Sequence, residues 1–241
     1  MQIIRGDDYQ SWIYSNKDDL VVVDPWLTRK QVFPRFNWLL HRDSTKTPYL
    51  MKYNLVKKVT HIIVTAHFSD HLDEESLKFF NKNIPIYTTH EALKTLLKLG
   101  FTNINVVTPN KTYELNSFTI KIFKAGKPYN TTTFSYLLSD SRSKIFHEPH
   151  MFNEKIEFDY VDACIVTVDM VKVLGLVQVS MDLNQAKLAQ AQLNARYLIP
   201  TGIAPKQTRG LISFLLGIKE SYKQMNLIPS SCNQVGDSLS L

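Results

Sequence analysis

The residues Val64-Thr65-Ala66-His67-Phe68-Ser69-Asp70-His71-Leu72-Asp73 decide how the rest of this chain is interpreted. The β-branched run at 62–65 predicts a strand that leads into them, and the segment 74–80 predicts a helix that follows. Two imidazoles and a carboxylate therefore lie within five positions at a strand-to-helix turn, the densest set of metal-binding side chains in the chain. The stretch predicts a site at this turn, and we expect the rest of the fold to hold and complete it.

Each of these residues also has an ordinary structural explanation. His67 and His71 are four positions apart, as are many surface pairs on helices, and Asp70 or Asp73 can cap the following helix. Taken one at a time, each residue is better explained by structure than by function. Only their placement beside other strand ends favours a metal site.

A second carboxylate follows a strand near the start of the chain. Residues 11–15 predict one strand, and the apolar run Leu20-Val21-Val22-Val23 predicts a buried one. Pro25 cannot donate to a sheet, so the strand has to stop near Asp24. A carboxylate at a strand end is either a turn former or a site residue, and its position alone favours the turn former.

Residues 28–57 are rich in aromatic and basic side chains and show no persistent helical or strand period. Loops of this length in a compact domain are usually lids or binding loops. The alternative is a small hydrophobic cluster that pins the loop to the surface, and the sequence favours neither explanation. We therefore expect an irregular segment over one end of a sheet.

The remaining chain predicts a mixture of sheet and helix. Between 59 and 107, strands alternate with helices, which indicates helices packed on a sheet, and between 111 and 147 short strands predict an antiparallel meander. Residues 169–181 are expected to form a loop against the site. The two halves have no linker between them, so we expect one domain, residues 1–241. The other predicted elements are strands at 61–65, 85–88, 104–107, 161–168, 196–199 and 234–241 and helices at 73–82, 91–99, 182–193 and 208–224.

Polar side chains recur at the ends of the predicted strands. In sheet proteins, ligands gather where strand ends face one crevice, so we expect these side chains to converge. Zinc takes three or four N, O or S ligands, and carboxylates with imidazoles also serve general acid–base chemistry. His147 and His150 are equally well explained as polar residues at a turn, and His41 and His61 lack partners. The candidate cluster is Asp24, His67, Asp70, His71, Glu148 and His150.

Composition narrows the class of protein. The chain has 241 residues, 44% of them hydrophobic and 21% charged, which is typical of a soluble globular protein. No apolar run approaches the ~18 residues that span a bilayer, and the first residues lack the pattern of a secretory signal, so neither a membrane nor secretion is expected. The cysteines Cys164 and Cys232 show no close spacing, which favours a reducing compartment, and we predict the cytoplasm.

The formal net charge is +6. The basic residues are scattered, and the sequence has no arginine-rich run and no nucleic-acid fold signature, so we do not expect a nucleic acid as partner. A solvated basic surface is favoured, and the alternative is a surface that attracts an anionic substrate or polymer. The predicted partner is a small-molecule substrate or ligand.

At these residues the sequence resembles the metallo-β-lactamase superfamily, and most of all its metal-dependent hydrolase branch, which has uncharacterised members in cyanobacteria and plants. The resemblance covers most of the chain. It rests on a strand ending in Asp-Pro-Trp at 20–27, the pair Asp70-His71, the run Glu148-Pro149-His150 and the late strand end at 199–202. It implies an α/β (α+β) fold, a four-layer αβ/βα sandwich of two mixed sheets flanked by helices, with the site at the sheet edges.

The motif residues depart from the pattern of that family. Its second motif is His-x-His-x-Asp-His, and alignment on Asp70-His71 puts Ala66 and Phe68 at the two leading histidines. His67 is one place off. The later histidines of the pattern have no counterpart, and the usual bridging aspartate is replaced by Glu148 or lost. Because neither a methyl nor a phenyl group binds a metal, two complete metal sites are not expected.

The resemblance therefore implies one metal ion at most, and zinc is the expected ion. A bound water would attack a small ester-like or anionic substrate, with Asp24 or Asp70 orienting the water. The alternative is a degenerate member of the fold, which binds a ligand or a partner in an apolar crevice without metal. The expected metal ligands are Asp70 and His71 with His67, Glu148 or His150.

Overall fold

Two β-sheets packed face to face form the centre of the protein in a computed structural model, which describes residues 1–33 and 36–241. The helices are α1 (Tyr49–Lys52), α2 (Glu74–Leu77), α3 (His90–Lys98) and α4 (Leu183–Gln192). The strands are β1 (Gln2–Arg5), β2 (Trp12–Ser15), β3 (Leu20–Val23), β4 (Lys30–Phe33), β5 (Leu40–Asp43), β6 (His61–Val64), β7 (Ile86–Thr88), β8 (Ile104–Val106), β9 (Thr112–Leu115), β10 (Phe118–Lys124), β11 (Phe134–Ser139), β12 (Lys144–Glu148), β13 (Val161–Thr167), β14 (Met170–Val173), β15 (Val177–Gln178), β16 (Ala195–Thr201), β17 (Leu216–Lys219) and β18 (Ser238–Ser240).

Both sheets contain parallel and antiparallel strands. The first has the order β18-β1-β2-β3-β6-β7-β8, antiparallel as far as β3 and parallel from β3 to β8. The second has the order β16-β13-β12-β11-β10-β9, parallel from β16 to β12 and antiparallel from β12 to β9. The antiparallel meander predicted for 111–147 is confirmed as β9 to β12.

The core between the sheets follows from the two-residue period of a strand. Along β3, Val21 and Val23 pack into the cluster shared by the two sheets, whereas Val22 packs on the outer side of the first sheet. In β6, Ile63 faces inward and Ile62 and Val64 face outward. Both faces of these strands are buried, which is why each reads in the sequence as an uninterrupted apolar run.

Helices cover the two outer faces. Leu77 of α2 and Leu96 of α3 pack with the outward residues of the first sheet, and Ala186 of α4 packs on the second sheet. The layers therefore run helix, sheet, sheet, helix, and the predicted αβ/βα sandwich is confirmed. Among the described residues, no helix has both the length and the apolar character needed to cross a membrane.

Local features mark the start of α4 and the end of α3. The Asp182 carboxylate accepts a hydrogen bond from Gln185 N at 2.9 Å, and Gln185 Oε1 accepts one from Asp182 N at 2.9 Å. This reciprocal pair begins α4. At the other predicted helix, Gly100 follows α3 with φ +86°, the left-handed conformation that favours glycine after a helix.

The prediction of a helix at 208–224 is wrong. The segment instead forms β17, with 3-10 turns at Ser213–Leu215 and Tyr222–Met225. Gly210 has φ +133°, and a Cβ there would lie 2.4 Å from the Leu39 carbonyl oxygen, so the chain passes this point in a non-helical conformation. Long-range pairing with β5 and β14 replaces the helical hydrogen bonds that the apolar spacing suggested.

Three other segments differ from the prediction. The irregular segment 28–57 contains the hairpin β4–β5 and the short helix α1, and its residues 34 and 35 lie outside the described residues. The loop predicted at 169–181 contains β14 and β15, which form a three-stranded sheet with β17. The helix predicted at 73–82 shortens to α2, because 3-10 bonds follow, such as Phe80 N to the Leu77 carbonyl at 3.3 Å. In the first two cases, pairing with distant segments supplies the strand partners, and local sequence does not show them.

Candidate active site

Strand ends of both sheets meet at one edge of the sandwich. Asp24 follows β3, and the turn with His71 follows the neighbouring parallel strand β6. From the second sheet, Glu148 ends β12 and His150 lies two residues beyond. The rings of His71 and His150 have centroids 4.7 Å apart, so the two sheets bring these turns into contact. Of the residues predicted to converge, the structure brings this pair together.

The Asp24 carboxylate accepts hydrogen bonds from the turn that follows β6. Its Oδ1 accepts from Thr65 N at 2.7 Å, and its Oδ2 accepts from Thr65 Oγ1 at 2.6 Å and from His71 Nδ1 at 2.8 Å. Asp24 itself is buried with φ +44°, a left-handed conformation that aspartate tolerates better than most residues. The carboxylate therefore sets the orientation of the His71 ring.

His71 presents its other ring nitrogen to the site. Nδ1 donates to Asp24, so Nε2 carries the lone pair whenever the ring is neutral, and it is buried with no hydrogen-bond partner among residues 1–33 and 36–241. Burial lowers the pKa of His71, but the charges of Asp70 and Asp24 outweigh burial and raise the pKa to about 9. At neutral pH the ring therefore holds a second proton on Nε2, which a metal ion has to displace, and an imidazole held at Nδ1 by a carboxylate is the usual arrangement of a metal-binding histidine.

The distance between His71 and Asp70 has the size expected of two ligands of one ion. His71 Nε2 lies 3.6 Å from Asp70 Oδ2, which is too long for a hydrogen bond. Two ligands at ~2.0–2.2 Å from a tetrahedral zinc ion are about 3.3–3.6 Å apart. The pair therefore forms one edge of a possible coordination shell.

The second sheet adds buried polar atoms on the opposite side. Glu148 accepts from His150 N at 3.0 Å through Oε1, while its Oε2 is unpartnered in the described part of the chain. Burial raises the pKa of Glu148 to about 8. His150 Nε2 is buried and likewise unpartnered, and the His150 ring stacks on Tyr129 with centroids 4.1 Å apart. Burial and the charge of His71 lower the pKa of His150 well below its ordinary value, which keeps the ring neutral.

His67 is placed differently from the other predicted ligands. It is exposed, and its ring lies against Phe68 with centroids 4.3 Å apart. Phe68 in turn meets Tyr129 and His150 edge to face. Ala66 is fully buried and bridges to Thr133 of the second sheet. Backbone and aromatic packing thus occupy the part of the turn where the resembled motif has its leading imidazoles.

The residues fit a metal ion only in part. Across 1–33 and 36–241, no three His, Cys, Asp or Glu side chains form a group that could hold a metal ion. The pair Asp70 and His71 has suitable spacing, and a third ligand would have to come from the unpartnered atoms of His150 or Glu148 or from exposed His67. The predicted ligand set therefore stays a prediction, with this pair as its best-supported part.

Two cavities open beside this pair. The larger has a volume of about 550 Å³ and combines aromatic side chains with the carboxylates of Asp70, Glu74 and Glu91. The smaller, of about 160 Å³, extends towards β14 and β17. Both are lined by Phe33, Asp70, Tyr129 and His150. A small molecule in either cavity would contact Asp70 directly.

Three residues of this site escaped the sequence analysis. Thr65 bonds Asp24, and its only signal was its position directly before the turn. Tyr129 has no sequence signal, because its role depends on the stacking with His150. His147 was treated as a turn residue, yet its Nδ1 bonds Tyr136 Oη at 2.7 Å and its buried Nε2 is unpartnered in the described residues.

Comparison with known proteins gives a consistent result. A family model described as the beta-lactamase superfamily domain matches residues 7–202. No curated protein sequence matches the chain. Among the similar solved structures are three that share 14% identity with this chain. Two of them, a possible metal-dependent hydrolase from Veillonella parvula and an isothiocyanate hydrolase from Delia radicum gut bacteria, each have a TM-score of 0.72 over 100% of this chain and 99% of theirs. The third, a metallo hydrolase from Ignicoccus hospitalis, has a TM-score of 0.65 over 99% of this chain and 98% of its own. At this identity the similarity shows the shared fold.

Proposed function

The chain belongs to the beta-lactamase superfamily domain family, and we propose that it is a metal-dependent hydrolase that uses one metal ion at most. The observation that carries this proposal is the 3.6 Å separation between Asp70 Oδ2 and the unpartnered His71 Nε2. Zinc is the proposed ion, because imidazole and carboxylate ligands at a tetrahedral spacing suit it. His150, Glu148 or His67 would supply the third ligand.

The side chains have distinct proposed roles. A bound divalent ion supplies Lewis-acid chemistry, since it lowers the pKa of water and polarises a substrate carbonyl. Asp24 acts through His71, by keeping the proton on Nδ1 and leaving Nε2 free. Asp70 lines both cavities, so it is placed to orient the attacking water and accept its proton. Tyr129 keeps the neutral His150 ring in place by stacking.

Metal content tests the proposal directly. Protein purified without chelator should contain about one equivalent of zinc or a similar ion, and His71→Ala should reduce this at least tenfold, because removal of a ligand removes most of the affinity. His90→Ala is the matched control, since His90 is exposed at the start of α3. Mass spectrometry of metals and zinc titration would measure both. Wild-type protein that binds no transition metal, with His71→Ala no different, would contradict the proposal.

A second candidate is favoured by Ala66 and Phe68, which occupy the positions of the leading ligands. In this alternative the protein is a degenerate member of its family, and the aromatic cavity binds a small ligand without metal or turnover. Negligible metal content together with saturable ligand binding would support it. Hydrolysis that depends on His71 would exclude it.

The lining of the larger cavity favours a neutral ester-like substrate over an anionic one. Asp70, Glu74 and Glu91 contribute carboxylates, and among the described lining residues none is lysine or arginine. A substrate anion within about 4 Å of one such carboxylate would be repelled by roughly 1–4 kcal/mol. The aromatic rings of Phe33 and Phe68 suit an apolar acyl or aryl group.

Removal of the rim carboxylates tests this preference. The double change Glu74→Gln and Glu91→Gln should raise kcat/KM for an anionic phosphodiester severalfold relative to neutral p-nitrophenyl acetate. Glu75→Gln is the control, because the side chain of Glu75 is 66% exposed and pairs with Lys78 on the same helix. An equal change for both substrates, or the same effect from Glu75→Gln, would show that the cavity charge does not select the substrate.

Three further assignments are proposed with this function. The partner is a small-molecule substrate, for which the two cavities provide space. The location is the cytoplasm, because Cys164 and Cys232 are buried free thiols, which suits a reducing compartment. Residues 1–241 form one domain, since β18 pairs with β1 and places both ends of the chain in one sheet.

A further inference from the structure

An exposed apolar surface lies on segments that also contribute to the lining of the smaller cavity. Its members are large apolar side chains that are half exposed or more, with Leu176 at 83%, Phe214 at 78% and Trp38 at 62%. They lie on three segments: the tip of the β4–β5 hairpin, the tip of the β14–β15 hairpin and the chain that precedes β17. We name this surface the apolar rim, and its residues are Phe36, Trp38, Leu174, Leu176, Val177, Leu211 and Phe214.

Backbone hydrogen bonds make the apolar rim continuous. Leu211 N donates to the Trp38 carbonyl at 2.9 Å, which joins the first hairpin to the chain before β17. Leu174 N donates to the Leu215 carbonyl at 2.8 Å, which joins that chain to the second hairpin. Phe36 and Trp38 also contact each other, with ring centroids 5.9 Å apart. The three segments therefore present one surface and not scattered apolar residues.

The same segments line the cavity next to Asp70. Phe33 and Leu40 flank the tip of the first hairpin, Val171 and Val179 flank that of the second, and Leu216 begins β17. All five line the smaller cavity. A molecule that covers the apolar rim would thus bind to the segments that also line this cavity.

Soluble proteins rarely leave an apolar surface of this extent uncovered. The charges next to it are mainly basic: Lys206, Arg209 and Lys219 are exposed on the segments that carry the rim. The acidic group on this stretch is Glu220, which accepts a hydrogen bond from Lys206 N at 3.1 Å. On the β4–β5 hairpin, the Asp43 carboxylate pairs with Lys30, whose Nζ lies 3.8 Å from Asp43 Oδ1. The surface therefore combines apolar tips with a positive surround.

We propose that the apolar rim docks on an anionic lipid surface. Aliphatic and aromatic tips enter the boundary between headgroups and acyl chains, while neighbouring lysine and arginine side chains contact the headgroups. A second copy of the chain suits this surface less well, since a two-fold contact would bring two copies of the same positively charged surface together. The mode is peripheral binding, which requires no spanning helix, and it does not depend on the proposed hydrolysis.

Vesicle binding tests this inference. Wild-type protein should sediment with vesicles of phosphatidylcholine and phosphatidylglycerol, and more weakly with phosphatidylcholine alone or at high salt. The double change Leu176→Ser and Phe214→Ser should weaken binding tenfold or more, because two exposed side chains lose their burial in the lipid. Leu188→Ser is the matched control, since Leu188 is 70% exposed on α4, outside the three segments of the apolar rim, and should change nothing.

The possible results distinguish an anionic lipid surface from a second copy of the chain as the partner of the apolar rim. Circular dichroism and thermal melting of the double variant should match wild type, which keeps a folding defect from imitating loss of binding. No sedimentation of wild type with anionic vesicles at low salt would overturn the proposal. A wild-type dimer that the double change converts to a monomer, seen by light scattering, would also overturn it and assign the surface to a second copy. Equal binding to both kinds of vesicle would refute the role of charge.

Discussion

Asp24→Asn is expected to weaken zinc binding roughly 10- to 100-fold, the effect usually seen when the hydrogen-bond partner of a metal-binding histidine is removed. Asparagine keeps the shape of the side chain and tolerates φ +44°, so the backbone after β3 should be retained. Its amide has a single accepting oxygen, which cannot accept both from Thr65 N, the donor to Asp24 Oδ1, and from His71 Nδ1, a donor to Asp24 Oδ2. The His71 proton is then free to move to Nε2, where it blocks coordination.

The measurement is zinc titration by calorimetry, followed by kcat/KM on a neutral ester. Asp182→Asn is the matched control, because Asp182 begins α4 and asparagine caps a helix as well as aspartate does. It should leave zinc affinity unchanged. If Asp24→Asn binds zinc as tightly as wild type while its melting temperature falls, Asp24 has only a structural role, as its position in the sequence first favoured.

Arg5→Met should produce a large loss of stability, about 3–5 kcal/mol, because buried carbonyl acceptors that lose a donor cost about 1–3 kcal/mol each and the stacking of the guanidinium is lost as well. The Arg5 guanidinium is fully buried and donates to the carbonyls of Tyr9, Pro200 and Cys232. It also stacks over Trp12 at 4.3 Å. Burial lowers the pKa of Arg5 to about 10, so the group remains charged at neutral pH. Methionine fills the space but removes the side-chain donor of the Pro200 and Cys232 carbonyls, whereas the Tyr9 carbonyl still accepts from Ile203 N at 3.3 Å.

For a chain of this length, that loss corresponds to a fall in Tm of roughly 6–20 °C. Thermal and urea unfolding would measure it, and Arg142→Met is the control, because Arg142 is exposed in a turn. The change should also disturb the site, since Pro200 precedes Thr201, which accepts from Trp12 Nε1 at 2.9 Å. A loss of less than about 1 kcal/mol would mean that the network contributes little to folding.

Local sequence was sufficient for the elements that are buried on both faces. The runs 20–23 and 61–64 are strands in any tertiary setting, because consecutive β-branched residues have both faces to bury. The helix predicted at 182–193 is present as α4, and the structure shows that Asp182 and Gln185, only three positions apart, form the cap at its start. Both features depend on residues that are close together in the chain, so they do not require knowledge of the tertiary structure.

Segments whose partners are distant were not predictable in the same way. The segment 208–224 has helical spacing, yet Arg209 N bonds the His41 carbonyl at 2.8 Å and His41 N bonds the Arg209 carbonyl at 2.7 Å. These exchanges join residues far apart in sequence, and they replace the bonds within a helix. Local periodicity contains no information about such pairing, which is why the hairpin β4–β5 and the small sheet of β14, β15 and β17 were missed.

The turn at 66–71 shows the same division within the site. The sequence by itself determined its position between β6 and α2, its Asp70-His71 pair and the replacement of the leading imidazoles by Ala66 and Phe68. Only the tertiary structure decided that Asp24, 47 positions away, holds His71 Nδ1, and that His150 of the second sheet faces the same ring. The physical reason is that residue type and spacing define which ligands are available, whereas hydrogen-bond partners and burial depend on the packing of the two sheets.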